Sequence, residues 1–300
     1  MGKKTVSIIL LNYKGLKDTL ECINSLKRIK TNNLSVEIVV VDNGSGDESV
    51  KVLKNVPNIK LLVNNKNSGY SGGNNLGIKF ALKGGADYIL ILNNDTVVDV
   101  NFLVNLISAA KSADIIAPKI YFAPGFEFHK SRYKKEDIGK VIWFAGANID
   151  WGNILGQHIG VDEVDNGQFS NPREIQFATG ACMFVKSDVF KKIGLLDEKY
   201  FLYLEDMDFC TRAARFGFKI IYEPSAVIWH KNASSAGGSG SQIQNYFITR
   251  NRLLFAFKYA PFKNKILLLK HVIFQVSDKT RRKALFDFLT FNFGRGSFTI

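Results

Sequence analysis

"TVSIILLNYKGLKDTLECINSLKRI", residues 5–29, decides the fold class. Its opening run is apolar almost without a break and bounded by polar residues, the pattern of a strand covered on both faces in a parallel sheet. Leu16, Leu20, Ile23 and Leu26 then recur at helical spacing. "VEIVVVDNGSGDES", residues 36–49, supplies a second apolar run that ends at Asp42. The order is strand, helix, strand.

The alternation continues outward. A helix is expected over residues 47–55 with Asp47 or Ser45 near its N-cap, and "NIKLLVNN" reads as a third strand. "GIKFALKGG" reads as a helix stopped by Gly84 and Gly85, before a fourth strand over residues 88–92. Such a sequence predicts a doubly wound α/β sheet, which gathers ligands beyond the carboxyl ends of its strands. Three polar clusters fall at such ends: Asn12-Tyr13-Lys14, Asp42-Asn43-Gly44 and Asn93-Asn94-Asp95. Beyond Ala113 the pattern loosens. "IIAPKIYF" reads as a strand, and residues 124–170 yield no assignable element. Order returns with a strand over 180–185, a helix after Ser187, and a helix in "EDMDFCTRAARFGFK", where Phe209, Ala213 and Phe216 share a face. "IIYEPSAVIWH" supplies a strand ending near His230, and the Gly/Ser-rich residues 233–241 are expected to be mobile, as a lid or a linker.

Composition narrows the classes. With 46% hydrophobic residues in 300, the chain can bury a large core. Cys22, Cys182 and Cys210 are too far apart for a C-x-x-C site, so neither a disulfide framework nor structural zinc is expected, and a reducing cytosol fits. No apolar run of membrane-spanning length and no secretory leader is read from the sequence. The net charge of +13 concentrates in residues 250–300, where eleven Lys or Arg face only Asp278 and Asp287. Nucleic acid, anionic lipid and solvent all suit such a patch.

Several side chains could carry chemistry. Asp95 ends a hydrophobic strand, where a carboxylate can share a magnesium or manganese ion with substrate phosphates; it equally suits an Asx turn or the cap of a helix beginning near Val98. Asp42 could accept from a ribose or base NH, or belong to an ordinary turn. "NNKNSGYSGGNNLG", residues 64–77, packs five Asn and four Gly into a strand-to-helix connection whose backbone amides could approach a phosphate or sugar. It lacks the G-x-G-x-x-G spacing of a dinucleotide site. Glu205, Asp206 and Asp208 open a helix in an aromatic setting that would raise a carboxyl's proton affinity toward that of a general base, although acids in a first helical turn are also routine. His230 suits either a structural role or a metal beside Asp95. No G-x-S-x-G elbow is present.

Assembled in order, "VSIILLNYKG", "VVVDNGSGD", "NSGYSGGNNLGI", "LILNNDT", "TGACMFVKSDVF", "FLYLEDMDFCTRAARFGFK", "VIWH" and "YFITRNRLLFAFKYAP" resemble a family 2 glycosyltransferase of the GT-A fold, near its rhamnosyltransferase-like branch. The resemblance spans roughly residues 5–260. It implies a GT-A domain over residues 1–235, with a nucleotide-binding half at 1–115 and an acceptor half at 116–235, followed by a flexible loop and a basic amphipathic helical region at 236–300. By the same resemblance, Tyr13 and Asp42 contact the base and ribose, while Asn67, Gly69 and Asn74 form the nucleotide-proximal loop. Asn93, Asn94 and Asp95 stand at the D-x-D motif. Asn93 replaces its first Asp, so Asp95 is that motif's one carboxylate here. Asp95 and His230 would hold Mg2+ or Mn2+, and Asp206, with Glu205 beside it, matches the family's base. Arg250 and Asn251 match a segment that follows the flexible loop. The implied reaction is an inverting transfer from a dTDP- or UDP-sugar to a glycan or lipid-linked acceptor in surface polysaccharide synthesis, with the basic tail touching an anionic membrane surface. A sugar nucleotidyltransferase and a non-catalytic nucleotide- or nucleic-acid-binding protein are the rival readings.

Overall fold

A computed structural model describes residues 2–129, 131–232 and 240–298. In the first half, β1 (Thr5–Asn12), α1 (Leu16–Leu26), β2 (Ser35–Asp42), α2 (Ser49–Leu53), β3 (Lys60–Val63), α3 (Gly69–Lys83) and β4 (Tyr88–Asn93) follow the predicted alternation. Then come β5 (Thr96–Val98), α4 (Phe102–Ala109), β6 (Ile115–Phe122), β7 (Ile142–Phe144), β8 (Ala147–Asp150), β9 (Leu155–His158) and β10 (Arg173–Glu174). The chain continues through β11 (Cys182–Lys186), α5 (Ser187–Ile193), α6 (Glu205–Arg215), β12 (Ile220–His230), α7 (Gln242–Tyr259), α8 (Phe262–Phe274) and α9 (Lys279–Leu289).

The main sheet runs β10-β12-β6-β11-β4-β1-β2-β3, with β5 on β12 and β7 on β6. β1, β2, β3 and β4 pair in parallel, as do β6 and β12, while β11 joins the two groups antiparallel to both. Ile8, Ile9, Leu10, Val39, Val40, Ile89, Leu90 and Ile91 are wholly buried, as strands covered on both faces require. Each such side chain contributes about 1.5–3 kcal/mol relative to exposure. One apolar cluster extends from Val6 to Leu285, so α7, α8 and α9 pack into the same core as the sheet.

Four expectations change. The Gly-rich "connection" is half helix, since α3 begins at Gly69. Its glycines serve close packing: a Cβ on Gly77 would lie 2.6 Å from Ile9 Cγ2, and one on Gly73 2.3 Å from Leu11 Cδ1. Helix α3 can press onto β1 only where those side chains are missing. No helix begins near Val98; residues 96–98 form β5 instead, so Asp95 caps none. Phe216 is 58% exposed and leaves the buried face that Phe209 and Ala213 occupy, because α6 ends at Arg215. Residues 124–170, read as featureless, hold the short strands β7, β8 and β9. The expected mobility of residues 233–241 falls mostly outside the described residues.

Candidate active site

Parallel register aligns the polar clusters. Asn12 pairs with Asp42, and Leu11 with Asn93, so three strands present their carboxyl ends side by side. A hydrogen-bond chain crosses them. The Asp42 carboxylate, 1% exposed, accepts from Asn12 Nδ2 at 2.7 Å, from Ser45 Oγ at 2.7 Å and from Ser45 N at 3.1 Å. Thr19 Oγ1 donates to Asn12 Oδ1 at 2.9 Å, and Asn94 Nδ2 donates to Thr19 Oγ1 at 2.8 Å. Asn94 thus turns back toward β1 and its following loop, and Asp42 orders the loop beside the half-exposed Tyr13.

Asn43, given no role of its own by the sequence beyond its place in the Asp42-Asn43-Gly44 cluster, organises the glycine loop. Its Nδ2 donates to Asn67 Oδ1 and Gly69 O, and its Oδ1 accepts from Asn64 Nδ2 and from both N and Oγ of Ser68. Gly69 has φ +77°, and a Cβ there would lie 2.5 Å from the Phe201 carbonyl oxygen. Only glycine fits both constraints. Asn74 is buried, donates to Tyr70 O, and has no partner for its Oδ1 among the described residues.

His230 and Asp95 meet. Strand β5 pairs antiparallel with β12, placing His230 opposite Thr96, and Lys231 N donates to Asp95 O at 2.9 Å. His230 Nε2 lies 3.0 Å from Asp95 Oδ1, yet neither ring nitrogen of this buried histidine has a hydrogen bond of good geometry among the described residues. A buried imidazole nitrogen left in that state beside a carboxylate is a donor set that fits a divalent cation. Among the described residues no group of three or more His, Cys, Asp or Glu could hold a metal ion. Few protein ligands, completed by phosphate oxygens, is the arrangement magnesium and manganese commonly accept.

The Trp143 ring stands edge-on between His230, at 4.6 Å, and His158, at 4.9 Å. Burial pushes His158 down to about 4, so it is neutral at neutral pH. Both residues come from the stretch whose short strands gave no periodic signal.

Asp206 arrives from the other side. Its Oδ2 accepts from Gly180 N at 2.9 Å and its Oδ1 from Met207 N at 2.8 Å. One residue further, Ala181 O accepts from Asn93 N at 2.9 Å, so the turn before β11 ties Asp206 to the Asn93–Asp95 segment. Tyr70 Oη donates to Gly180 O and closes the same corner. Burial raises the Asp206 carboxyl above its ordinary value, against the pull of the Gly180 and Met207 amides. Glu205 is raised well above the ordinary value by burial and by the neighbouring Asp206, and its Oε2 has no hydrogen-bond partner among the described residues. Asp208 differs from both. It is fully buried, paired with Arg212 and Lys258, and held low by those cations despite its burial.

Comparison with known proteins identifies the family. The sequence profile of Glycosyl transferase family 2 matches residues 7–194. The chain belongs to that family. It is a glycosyltransferase, which sets aside the nucleotidyltransferase and binding-protein readings. The low-salt glycan biosynthesis hexosyltransferase Agl10 of Haloferax volcanii is 28% identical over 252 residues, 83% of this chain and 74% of that protein. An N-acetylglucosaminyl-diphospho-decaprenol L-rhamnosyltransferase of Mycobacterium tuberculosis is 26% identical over 215 residues, 67% of this chain and 68% of that protein. The crystal structure of GalNAc-T7 with UDP, GalNAc and Mn2+ superposes with a TM-score of 0.58 at 15% identity, over 89% of this chain and 54% of that one. The last likeness concerns the fold, which is GT-A.

Proposed function

We propose that this glycosyltransferase moves a sugar, with inversion, from dTDP-rhamnose or a UDP-hexose to a glycan or lipid-linked acceptor in surface polysaccharide synthesis. The observation that carries the reading is the junction at residues 180–181, where one turn holds the Asp206 carboxylate through Gly180 N and the Asn93–Asp95 segment through Ala181 O. The rhamnosyl and hexosyl activities named for its relatives support the donor class, and the diphospho-decaprenol of one such name supports a lipid-linked acceptor.

In this reading Tyr13 and Asp42 face the base and ribose, and Asn67, Gly69 and Asn74 line the diphosphate side, with Asn93 and Asn94 beside them. Asp95 and His230 would hold Mg2+ or Mn2+, which when bound neutralises charge on the departing diphosphate. Asp206 removes the proton from the acceptor hydroxyl as it attacks the anomeric carbon from the face opposite the leaving group. Its raised proton affinity suits that task, and Glu205, buried beside it, holds its proton more tightly than an ordinary carboxyl does. One displacement inverts the centre. Residues 1–235 form the catalytic part, and the basic region at 236–300 touches an anionic membrane from the cytoplasmic side. No helix among the described residues is long and apolar enough to cross a membrane.

The test is transfer by the Asp206→Asn variant, measured with each nucleotide sugar. A variant that still binds nucleotide and has lost transfer supports the assignment, and undiminished turnover removes it.

A further inference from the structure

The segment that delivers Glu205 and Asp206 does not hold its own shape. Phe201, Tyr203 and Leu204 have φ values of +60°, +69° and +68°, a conformation that side chains with a Cβ rarely adopt. Each is unfavourable relative to the right-handed region. Something outside the segment must impose the shape.

That agent is on α7. Asn251 is wholly buried, and its Nδ2 donates to the carbonyl oxygens of Tyr200 at 2.8 Å, Leu202 at 2.8 Å and Tyr203 at 2.9 Å. Two amide hydrogens serve three acceptors, so one hydrogen is shared. Its Oδ1 accepts from Arg250 Nε at 3.1 Å and Nη2 at 3.0 Å, and Arg250 Nη2 also lies 3.1 Å from Lys199 O and 3.2 Å from Tyr200 O. Arg250, itself wholly buried, packs against Tyr246 and Phe247, and Phe247 stacks on Phe201 at 5.1 Å. The opposite side of the segment meets the nucleotide loop: Tyr70 N donates to Phe201 O at 2.6 Å, and Gly69 leaves room for the Phe201 ring.

We propose that Asn251, supported by Arg250, is a positioning residue for transfer: it fixes the segment 199–204 so that Asp206 meets the acceptor hydroxyl while α3 meets the nucleotide. The inference rests on Asp206 as the base. Neither α7 residue touches the reacting atoms; each acts through backbone carbonyls. The titratable groups that face Asp206 are Glu205 on its own helix, Tyr70 on α3 and Cys210 one turn on.

The experiment compares full-length Asn251→Ala and Asp206→Asn with wild type in kcat, donor KM and the acid limb of the pH profile. Misplacement of a reacting group by about 1 Å costs about 100-fold. Asn251→Ala is therefore expected to lose about 10- to 100-fold in kcat with a smaller change in donor KM. Its acid limb should move to lower pH, because a loosened segment admits water to the Asp206 carboxyl. An active Asp206→Asn overturns the base assignment and this inference together. An inactive Asp206→Asn beside an Asn251→Ala enzyme with wild-type kcat, or with reduced kcat and an unmoved acid limb, overturns the positioning role alone. Should Asn251→Ala fail to fold, Arg250→Lys keeps the charge and removes the planar fork; the same shift of the limb in smaller degree supports the proposal, and an unmoved limb overturns it.

Discussion

His230 Nε2 sits 3.0 Å from the Asp95 carboxylate because β12 and the short β5 pair antiparallel at the end of the sheet. The contact is built by backbone register, so replacing the imidazole should leave the strands in place. His230→Ala is expected to fold and to need about 10-fold or more Mn2+ for half-maximal transfer, the scale on which even supporting residues of a metal site act. Calorimetric titration of Mn2+ with nucleotide present should weaken in parallel. An unchanged titration would remove His230 from the proposed metal site.

As the proposed base Asp206 would act deprotonated, and burial raises its carboxyl above the ordinary value. Transfer should therefore rise with pH through a midpoint above about 4, the usual carboxylate range. Asp206→Asn should lower kcat by about 100- to 10,000-fold, the usual contribution of a positioned base. Nucleotide affinity, measured at equilibrium, should stay within a few-fold of wild type. A profile whose acid limb sits in the ordinary range counts against a buried base.

Glu205 provides a stability test independent of turnover. Its folded carboxyl is raised well above the unfolded value, so the stability it contributes is fully present below the unfolded pKa and is lost as pH rises through the folded one. Glu205→Gln removes that loss. The melting temperature of the variant relative to wild type should climb as pH rises above about 4, the unfolded carboxyl's range. A constant difference would show that the carboxyl ionises normally.

Strands β1, β2 and β4 were legible because burial on both faces leaves an unbroken apolar signal, and β12 was readable from its apolar ends although its burial alternates and Glu223, Pro224 and Ser225 interrupt it. Residues 69–77 were misread because glycine and asparagine mark loops by composition. Here the glycines let a helix approach β1, a reason visible only with Ile9 and Leu11 in place. Trp143 and His158 lie on strands of three and four residues, too short for periodicity to speak. The clamp of Asn251 on residues 200–203 bridges some fifty positions through main-chain carbonyls, and sequence pattern carries no trace of such bonds.

Those glycines yield their own prediction. Gly77→Ala would drive a methyl into Ile9 and should destabilise by about 1–3 kcal/mol, as overpacking does. Gly69→Ala adds an unfavourable φ and a clash with the Phe201 carbonyl oxygen, so it should cost more stability and also impair nucleotide binding. Denaturant melts rank the pair. Equal losses would mean that the Phe201 segment yields freely to the added methyl.

The C-terminal helices expose what a core would bury. On α8, Lys263, Leu267, Lys270 and Phe274 recur at spacings of four, three and four, which places them on one face, and Phe274 is 87% exposed. On α9, Arg282, Phe286 and Leu289 do the same, with Phe286 63% exposed. Aromatic rings among cations suit the headgroup region of an anionic bilayer, where each near-surface cation contributes about 1 kcal/mol. The opposite faces are occupied, Leu268 and Val272 on α8 and Ala284 and Asp287 on α9 being buried. Substituting the outer rings should therefore spare the fold. The full chain is expected to float with vesicles containing phosphatidylglycerol, to stay behind with purely zwitterionic ones, and to lose flotation in the Phe274→Asp, Phe286→Asp double variant with its melting temperature unchanged. Equal recovery from both vesicle types would leave these helices without a membrane role.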